Sequence, residues 1–324
     1  MQVRFILLLI IIASSFHAFA QQKPVERDTS FTLYSAFKNA KKKYPFITVA
    51  NPPVPVNIIS KLNLVYCSVG GRQLHLDVFY PSAKSKKSYP AILMIHGGGW
   101  RSGDRSQHVP MAQQMASKGY VTVTAEYRLS NEALYPAAVN DLKTAIRWMR
   151  ANAKAYHIDA GKIAVWGFSA GGQLATLIGT TNNSSLFPGD DCYNDQSDKV
   201  QAIVDVDGTL AFIHPESGEG NDSKGKSAAT YWFGFSKDER PDLWNQAGAL
   251  NHVDQHTPPI IFINSAVDRM HAGRSDMIHQ LDSLHIYSEV HTLPDTPHPF
   301  LLFNPWFEPT LNYTVAFLDK IFKK

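Results

Sequence analysis

Apolar positions along this chain follow two periods that alternate. Residues 62–68 and 74–80 alternate or cluster β-forming side chains on either side of Gly70-Gly71, which predicts two strands joined by a tight turn. Residues 91–95 are continuously apolar and run into His96 and three glycines, as a strand buried on both faces would. Short apolar runs at 120–124, 162–166, 200–206, 259–264 and 287–293 predict further strands. Helical patterning at 135–156, 172–179, 277–284 and 310–322 predicts the helices between and after them, the first with Pro136 in its opening turn. Strands alternating with helices in this order imply a mostly parallel sheet with helices on both faces, an α/β fold.

Two stretches depart from the alternation. Residues 21–60 carry Pro45, Pro52, Pro53 and Pro55 and little periodicity, which predicts an extended arm lying over the domain rather than a packed helix. Residues 208–257 contain no strand pattern and are too many for an ordinary connection. They are rich in Gly, Ser, Asn and charge, yet include Tyr231-Trp232-Phe233 and Trp244, aromatic side chains that would be costly to leave in water. A partly helical cap is the expectation, inserted in a single catalytic domain of residues 61–324.

The length of 324 residues allows one substantial α/β domain and not two large ones. A formal net charge of +3 is dispersed, with no basic block longer than Lys41-Lys42-Lys43, so a nucleic-acid partner is not expected. At the start, Arg4, the apolar run 5–12 and the small-residue exit Ala18-Phe19-Ala20 form the pattern of a secretory signal peptide cleaved after Ala20. The run is short for a bilayer span, so secretion or a periplasmic location without stable membrane insertion is expected. Cys67 and Cys192 are the two cysteines. They can pair in an exported protein or remain two thiols, and sequence does not decide between these.

The candidate chemistry lies at predicted strand ends. Gly167-Phe168-Ser169-Ala170-Gly171 sits between a short apolar strand and a helix, where flanking glycines allow a sharp turn that exposes the Ser169 hydroxyl. The N–H groups opening the helix favour negative charge at the same place. His96-Gly97-Gly98-Gly99-Trp100 supplies a second element, because glycines let backbone N–H groups approach a developing oxyanion; Gly98, Gly99 and Ala170 are the candidate donors. His96 itself is expected to brace the loop. A phosphate cradle is disfavoured, since the Lys-Ser/Thr ending of a P-loop is missing.

Among 13 histidines, His298 follows the last predicted strand and precedes the final helix, the place from which a general base reaches Ser169. Asp268, after the strand at 259–264, is the first candidate for the acid that holds the histidine tautomer, and Asp207, after the preceding strand, is the alternative. Such a triad needs neither metal nor organic cofactor.

These segments carry a resemblance. From His75 onward the chain resembles α/β-hydrolase serine esterases of the hormone-sensitive-lipase-like group, and more closely exported bacterial carbohydrate esterases that deacylate plant cell-wall polysaccharide. The carrying segments are His96-Gly97-Gly98-Gly99-Trp100, Glu126-Tyr127-Arg128-Leu129, 135–141 and Gly167-Phe168-Ser169-Ala170-Gly171-Gly172, with His271-Ala272-Gly273-Arg274, 288–291 and His298-Pro299-Phe300 toward the end. The resemblance implies acetyl or methyl ester hydrolysis on pectin or xylan, with Trp100 and Arg274 at the substrate. In the similar pectin and xylan esterases the position of Asp268 is not always acidic, which keeps Asp207 open. Arg269 or Arg274 would suit a uronate carboxylate. A peptidase of the same fold normally carries a large extra domain. A non-catalytic binding protein that kept the fold would be expected to have lost a triad residue.

Overall fold

The computed structural model describes residues 28–82 and 88–323. The predicted signal peptide lies outside the described residues. In chain order the elements are α1 (Leu33–Ala40), β1 (Thr48–Val49), β2 (Ile58–Val69), β3 (Arg72–Pro81), β4 (Tyr89–Ile95), α2 (Val109–Ser117), β5 (Val121–Ala125), α3 (Ala137–Ala151), α4 (Ala153–Tyr156), β6 (Ile158–Phe168), α5 (Ala170–Thr180) and β7 (Ala202–Val206). They continue with α6 (Ala228–Phe233), α7 (Pro241–Gln246), β8 (Ile260–Asn264), α8 (Arg274–Ser283), β9 (Ser288–Thr292), β10 (Phe303–Asn304) and α9 (Phe307–Phe322).

Eight strands form one sheet in the order β2-β3-β5-β4-β6-β7-β8-β9. β2, β3 and β5 pair antiparallel, and every pair from β5 to β9 is parallel. The turn between β2 and β3 is made by Gly70 and Gly71, both at positive φ, as the sequence predicts. The central strands β5, β7 and β8 are buried at every position because both faces are covered. In β4, Ala91, Leu93 and Ile95 join one core with α3, α5 and α8, while Ile92 and Met94 join the other with α2 and α9. The same two-residue period divides Ile163 and Val165 of β6 from Ala164, Trp166 and Phe168.

The arm differs from expectation in part. Residues 51–55 are irregular, as the prolines require, but 33–40 form a helix. Thr32 and Ser35 close a reciprocal capping box on it, and Ala36 and Ala40 are buried on its inner face. A helix of eight residues has too few turns to display periodicity against a proline-rich background, and docking is what stabilises it. Ile47 is buried, Tyr44 meets Trp306 edge-on at 5.5 Å, and β1 pairs with β10, so the arm packs along the C-terminal helix region.

Cys67 on β2 and Cys192 are joined by a disulfide that closes a loop of 125 residues, settling the alternative that sequence left open. Residues 208–257 form the expected strand-free, partly helical excursion. Trp232, Phe233 and Trp244 are buried and pack with Phe212, Tyr135 and Trp100, whereas Tyr231 stays partly exposed. Among the described residues no helix is long and apolar enough to cross a membrane.

Candidate active site

The site sits at the carboxyl ends of β4, β6 and β7, where the chain leaves the sheet in tight turns. Ser169 joins β6 to α5 with φ 57° and ψ −121°, a conformation an L-residue adopts only when its surroundings impose it. The surroundings are backbone. A side chain at Gly167 would stand 1.9 Å from the Gly171 carbonyl oxygen, and one at Gly171 would stand 2.2 Å from that of Ile95. The flanking glycines therefore let α5 close onto the strand ends, while the Ser169 N–H donates to Val206 O at 2.9 Å. Ser169 remains partly accessible.

His298 follows β9 and faces Ser169, with 2.8 Å between Nε2 and Oγ. Its Nδ1 lies 2.9 Å from Asp207 Oδ2. Asp207 follows β7, also at positive φ, and its side chain is fully buried, whereas that of His298 is 20% exposed. The second carboxylate oxygen of Asp207 accepts the Ser265 N–H at 2.8 Å. With the Nδ1–H donating to the Asp207 carboxylate, Nε2 keeps its lone pair and accepts the Ser169 hydroxyl. Phe168 packs its ring 4.9 Å from the imidazole, which limits its rotation.

The carboxylate on His298 is thus Asp207, and the first choice, Asp268, is corrected. Asp268 opens a short turn beyond β8 with its side chain 99% exposed, 3.9 Å from His271. A carboxylate in that position is solvated rather than held against the imidazole. The physical reason is register: the turn after β7 folds back beneath Ser265, so the earlier strand end is the one that reaches the histidine.

Asp205, two residues earlier, secures this turn. Its Oδ1 accepts the Gly208 N–H at 2.6 Å, and its Oδ2 lies 2.8 Å from Thr176 Oγ1 on α5. Burial pushes its pKa up to about 7, with the nearby Asp207 adding to the rise. The Thr176 hydroxyl also lies 3.0 Å from Gly172 O. Since it has a single hydrogen, a protonated Asp205 donating to Thr176 satisfies both contacts.

The glycine loop after β4 packs directly on this constellation: a side chain at Gly97 would lie 3.1 Å from Ser169 Cβ. Gly98 and Gly99 have φ of 127° and 60°, and a side chain at Gly98 would strike Ser102 O at 2.2 Å. The Ala170 N–H is the first of α5 and has no intrahelical acceptor. His96 braces the loop as expected, stacked on Tyr127 at 4.4 Å with Nδ1 2.9 Å from Gly97 O.

Trp100, a candidate substrate contact, is placed in the wall instead. It is 3% exposed, stacked on Trp232 at 4.9 Å, and donates its indole N–H to Gln173 at 2.9 Å. Gln173 passes the connection to Ala247 O, also at 2.9 Å, so the loop, α5 and the cap are tied together. The sequence carries no signal for that bridge, which exists only once α5 and the cap meet. Arg274 opens α8 and donates to Asn264 Oδ1 at 2.7 Å, bracing the end of β8, and Arg269 is exposed beside Gly218. The motif Glu126-Tyr127-Arg128-Leu129 is structural as well. Glu126 takes Arg72 and Arg105, and Arg128 holds the buried Asp141 through Nε at 2.9 Å and Nη2 at 2.6 Å.

Comparison with known proteins agrees with this architecture. Esterase LipC of Mycobacterium tuberculosis is 29% identical over 198 residues, covering 60% of this chain and 48% of LipC. The matched region thus spans about half the length of that curated relative. Among solved structures, a truncated carbohydrate esterase from gut microbiota superposes with a TM-score of 0.69 at 23% identity, over 82% of this chain and 97% of that one. A butyrate-bound thermophilic esterase from the planctomycete Thermogutta terrifontis gives a TM-score of 0.67 at 22% identity, over 82% and 95%. Both share the fold. Residues 76–279 match BD-FAE, and with glycine loop, serine turn and sheet all inside or beside that span, the chain belongs to the BD-FAE family of α/β-hydrolases.

Proposed function

We propose that this protein is an exported serine carboxylesterase that removes acetyl or methyl groups from plant cell-wall polysaccharide, pectin or xylan. The observation carrying the proposal is the unbroken chain Ser169 Oγ, His298, Asp207, at 2.8 Å and 2.9 Å, beside a glycine loop. In this reading Ser169 Oγ attacks the ester carbonyl carbon as its proton passes to His298 Nε2. The N–H groups of Gly98, Gly99 and Ala170 stabilise the negative charge formed on the carbonyl oxygen. Collapse breaks the bond to the alcohol, which leaves with the proton from His298. Water then attacks the acyl-enzyme, giving its proton to His298, and the acid leaves as Ser169 is restored. Asp207 stabilises the imidazolium formed in each half-reaction.

The gut carbohydrate esterase among the structural neighbours supports a sugar ester. Export is supported by the pattern Arg4, 5–12, Ala18-Phe19-Ala20 and by the Cys67–Cys192 disulfide, a bond that persists in oxidising compartments. The test is release of acetate and methanol from acetylated and methylated pectin and from acetylxylan, by the protein and by Ser169→Ala. Release that vanishes in the mutant supports the reading and names the ester. No release, with p-nitrophenyl acetate also untouched, overturns it in favour of a binding protein.

A further inference from the structure

Before it crosses to the C-terminal helix region, the arm lies on the glycine loop. Residues 97–103 of that loop fold back on themselves: Ser102 is fully buried, its N–H and Oγ both donate to Gly98 O, at 3.1 Å and 2.8 Å, and a side chain at Gly103 would stand 2.3 Å from Gly97 O. Against this turn Asp28 pairs with Ser102 in an isolated parallel bridge. Its carboxylate accepts the Arg101 Nε–H and, at 2.7 Å, the Ser30 N–H. Three residues on, the Phe31 ring stands 6.5 Å from that of Phe168, which itself packs on the His298 imidazole at 4.9 Å. Residues 28–31 therefore touch the glycine loop and back the wall behind the general base.

Arg101, two residues past Gly99, is where three segments meet. Its guanidinium lies over the Tyr231 ring at 4.2 Å, and Tyr231 sits one turn along α6 from Ala228, whose Cβ would be 2.9 Å from a side chain at Gly99. Arm and cap thus both hold the loop through the same side chain. The loop needs holding, because Gly98 and Gly99, at φ 127° and 60°, have no intrinsic preference for that conformation. A backbone N–H stabilises an oxyanion only where it is already aimed before the charge develops. The Asp28 and Arg101 side chains are 16% and 31% exposed, so their ion pair adds little to global stability. Its effect is local: it ties the loop to the arm two residues from a proposed oxyanion donor.

We propose that Asp28 and Arg101 are positioning residues that latch the glycine loop in its oxyanion-binding conformation, so that the start of the arm belongs to the active site. The inference rests on the ester-hydrolase reading. The experiment measures kcat and KM on p-nitrophenyl acetate for wild type, Asp28→Ala, Arg101→Ala, Arg101→Lys, the double variant Asp28→Ala with Arg101→Ala, and Ser169→Ala. Competent sites are counted by labelling Ser169 with an organophosphate run to completion. Arg101→Ala should lower kcat by about 10- to 100-fold, less than the roughly 10²- to 10³-fold of a lost oxyanion donor, with KM and the number of labelled sites near wild type. Asp28→Ala should show a smaller loss in the same sense, and Arg101→Lys, which keeps the charge, should recover part of the rate. The double variant should lose no more than Arg101→Ala alone, because the two residues act through one contact. An unchanged kcat in Arg101→Ala would overturn the proposal. So would losses that multiply in the double variant, or a fall in kcat matched by a fall in labelled sites, which would place the effect on folding. In each of those cases hydrolysis by wild type that vanishes in Ser169→Ala leaves the ester-hydrolase reading standing. Hydrolysis absent from wild type, or surviving in Ser169→Ala, would overturn that reading and the latch with it.

Discussion

The strand ends that carry Ser169 and Asp207 and the cap that begins at Gly208, the residue after Asp207, are built on opposite principles. At the strand ends, position is set by backbone: two non-glycine residues at positive φ, glycines with carbonyl oxygens about 2 Å from where a side chain would begin, and a carboxylate with no exposure. In the cap, position is set by ring packing, with Trp232, Phe233 and Trp244 buried against Phe212 and Trp100 while the intervening loops stay polar. Backbone constraint fixes atoms to within a hydrogen bond and suits chemistry. Ring packing holds a surface in place yet leaves its loops free to vary, and suits recognition.

The strongest way to sharpen this contrast is to disturb the buried carboxylate. On the triad reading, Asp207→Asn should lower kcat by about 10⁴ while leaving the fold intact, because it presents the wrong tautomer of His298 to Ser169. Asp268→Asn, changed in the same steady-state assay, should leave kcat near wild type, since that side chain is solvated. Comparable losses in the two would break the assignment of the acid.

Within the cap, Trp232→Ala removes a fully buried indole stacked on Trp100 and should cost about 3–5 kcal/mol in urea or thermal unfolding. Because Trp100 follows the glycine loop, kcat on p-nitrophenyl acetate should fall as well. A stability loss with unchanged kcat would show the cap and the loop to be independent.

The smallest effect concerns Asp205, between the two regions. Its folded pKa, up to about 7, exceeds its unfolded value near 3.8, so the folded state holds the proton more tightly. The associated stability is complete below about pH 4 and is lost as pH rises through about 7. Asp205→Asn, whose amide can donate to Thr176 as the protonated acid does, should remove this loss. Unfolding free energy measured from pH 4 to 8 should decline less steeply in the mutant than in wild type. Parallel pH profiles would mean that Asp205 is ionised in the folded protein.

How far the sequence could be read follows from where information is local. Gly167-Phe168-Ser169-Ala170-Gly171 and His96-Gly97-Gly98-Gly99 are legible because a tight turn needs its glycines at neighbouring positions, and the strands are legible because their apolar runs are continuous. The helix at 33–40 is not, since its stability comes from docking Ala36 and Ala40 rather than from its own periodicity. The disulfide partner of Cys67 stands 125 residues away, and the Trp100–Gln173–Ala247 bridge joins three separate segments.

By itself, then, the sequence determined the α/β alternation, the strand-end placement of Ser169 and His298, and the existence of an aromatic-rich excursion after Gly208, all of them consequences of residue types near one another in the chain. Only the tertiary structure decided between Asp207 and Asp268 and buried Trp100 against Trp232 and Gln173. Those choices depend on which strand ends and loops become neighbours across the sheet, and a side chain's distance to a partner 58 or 91 residues away is set by the packing between elements, which no local pattern encodes.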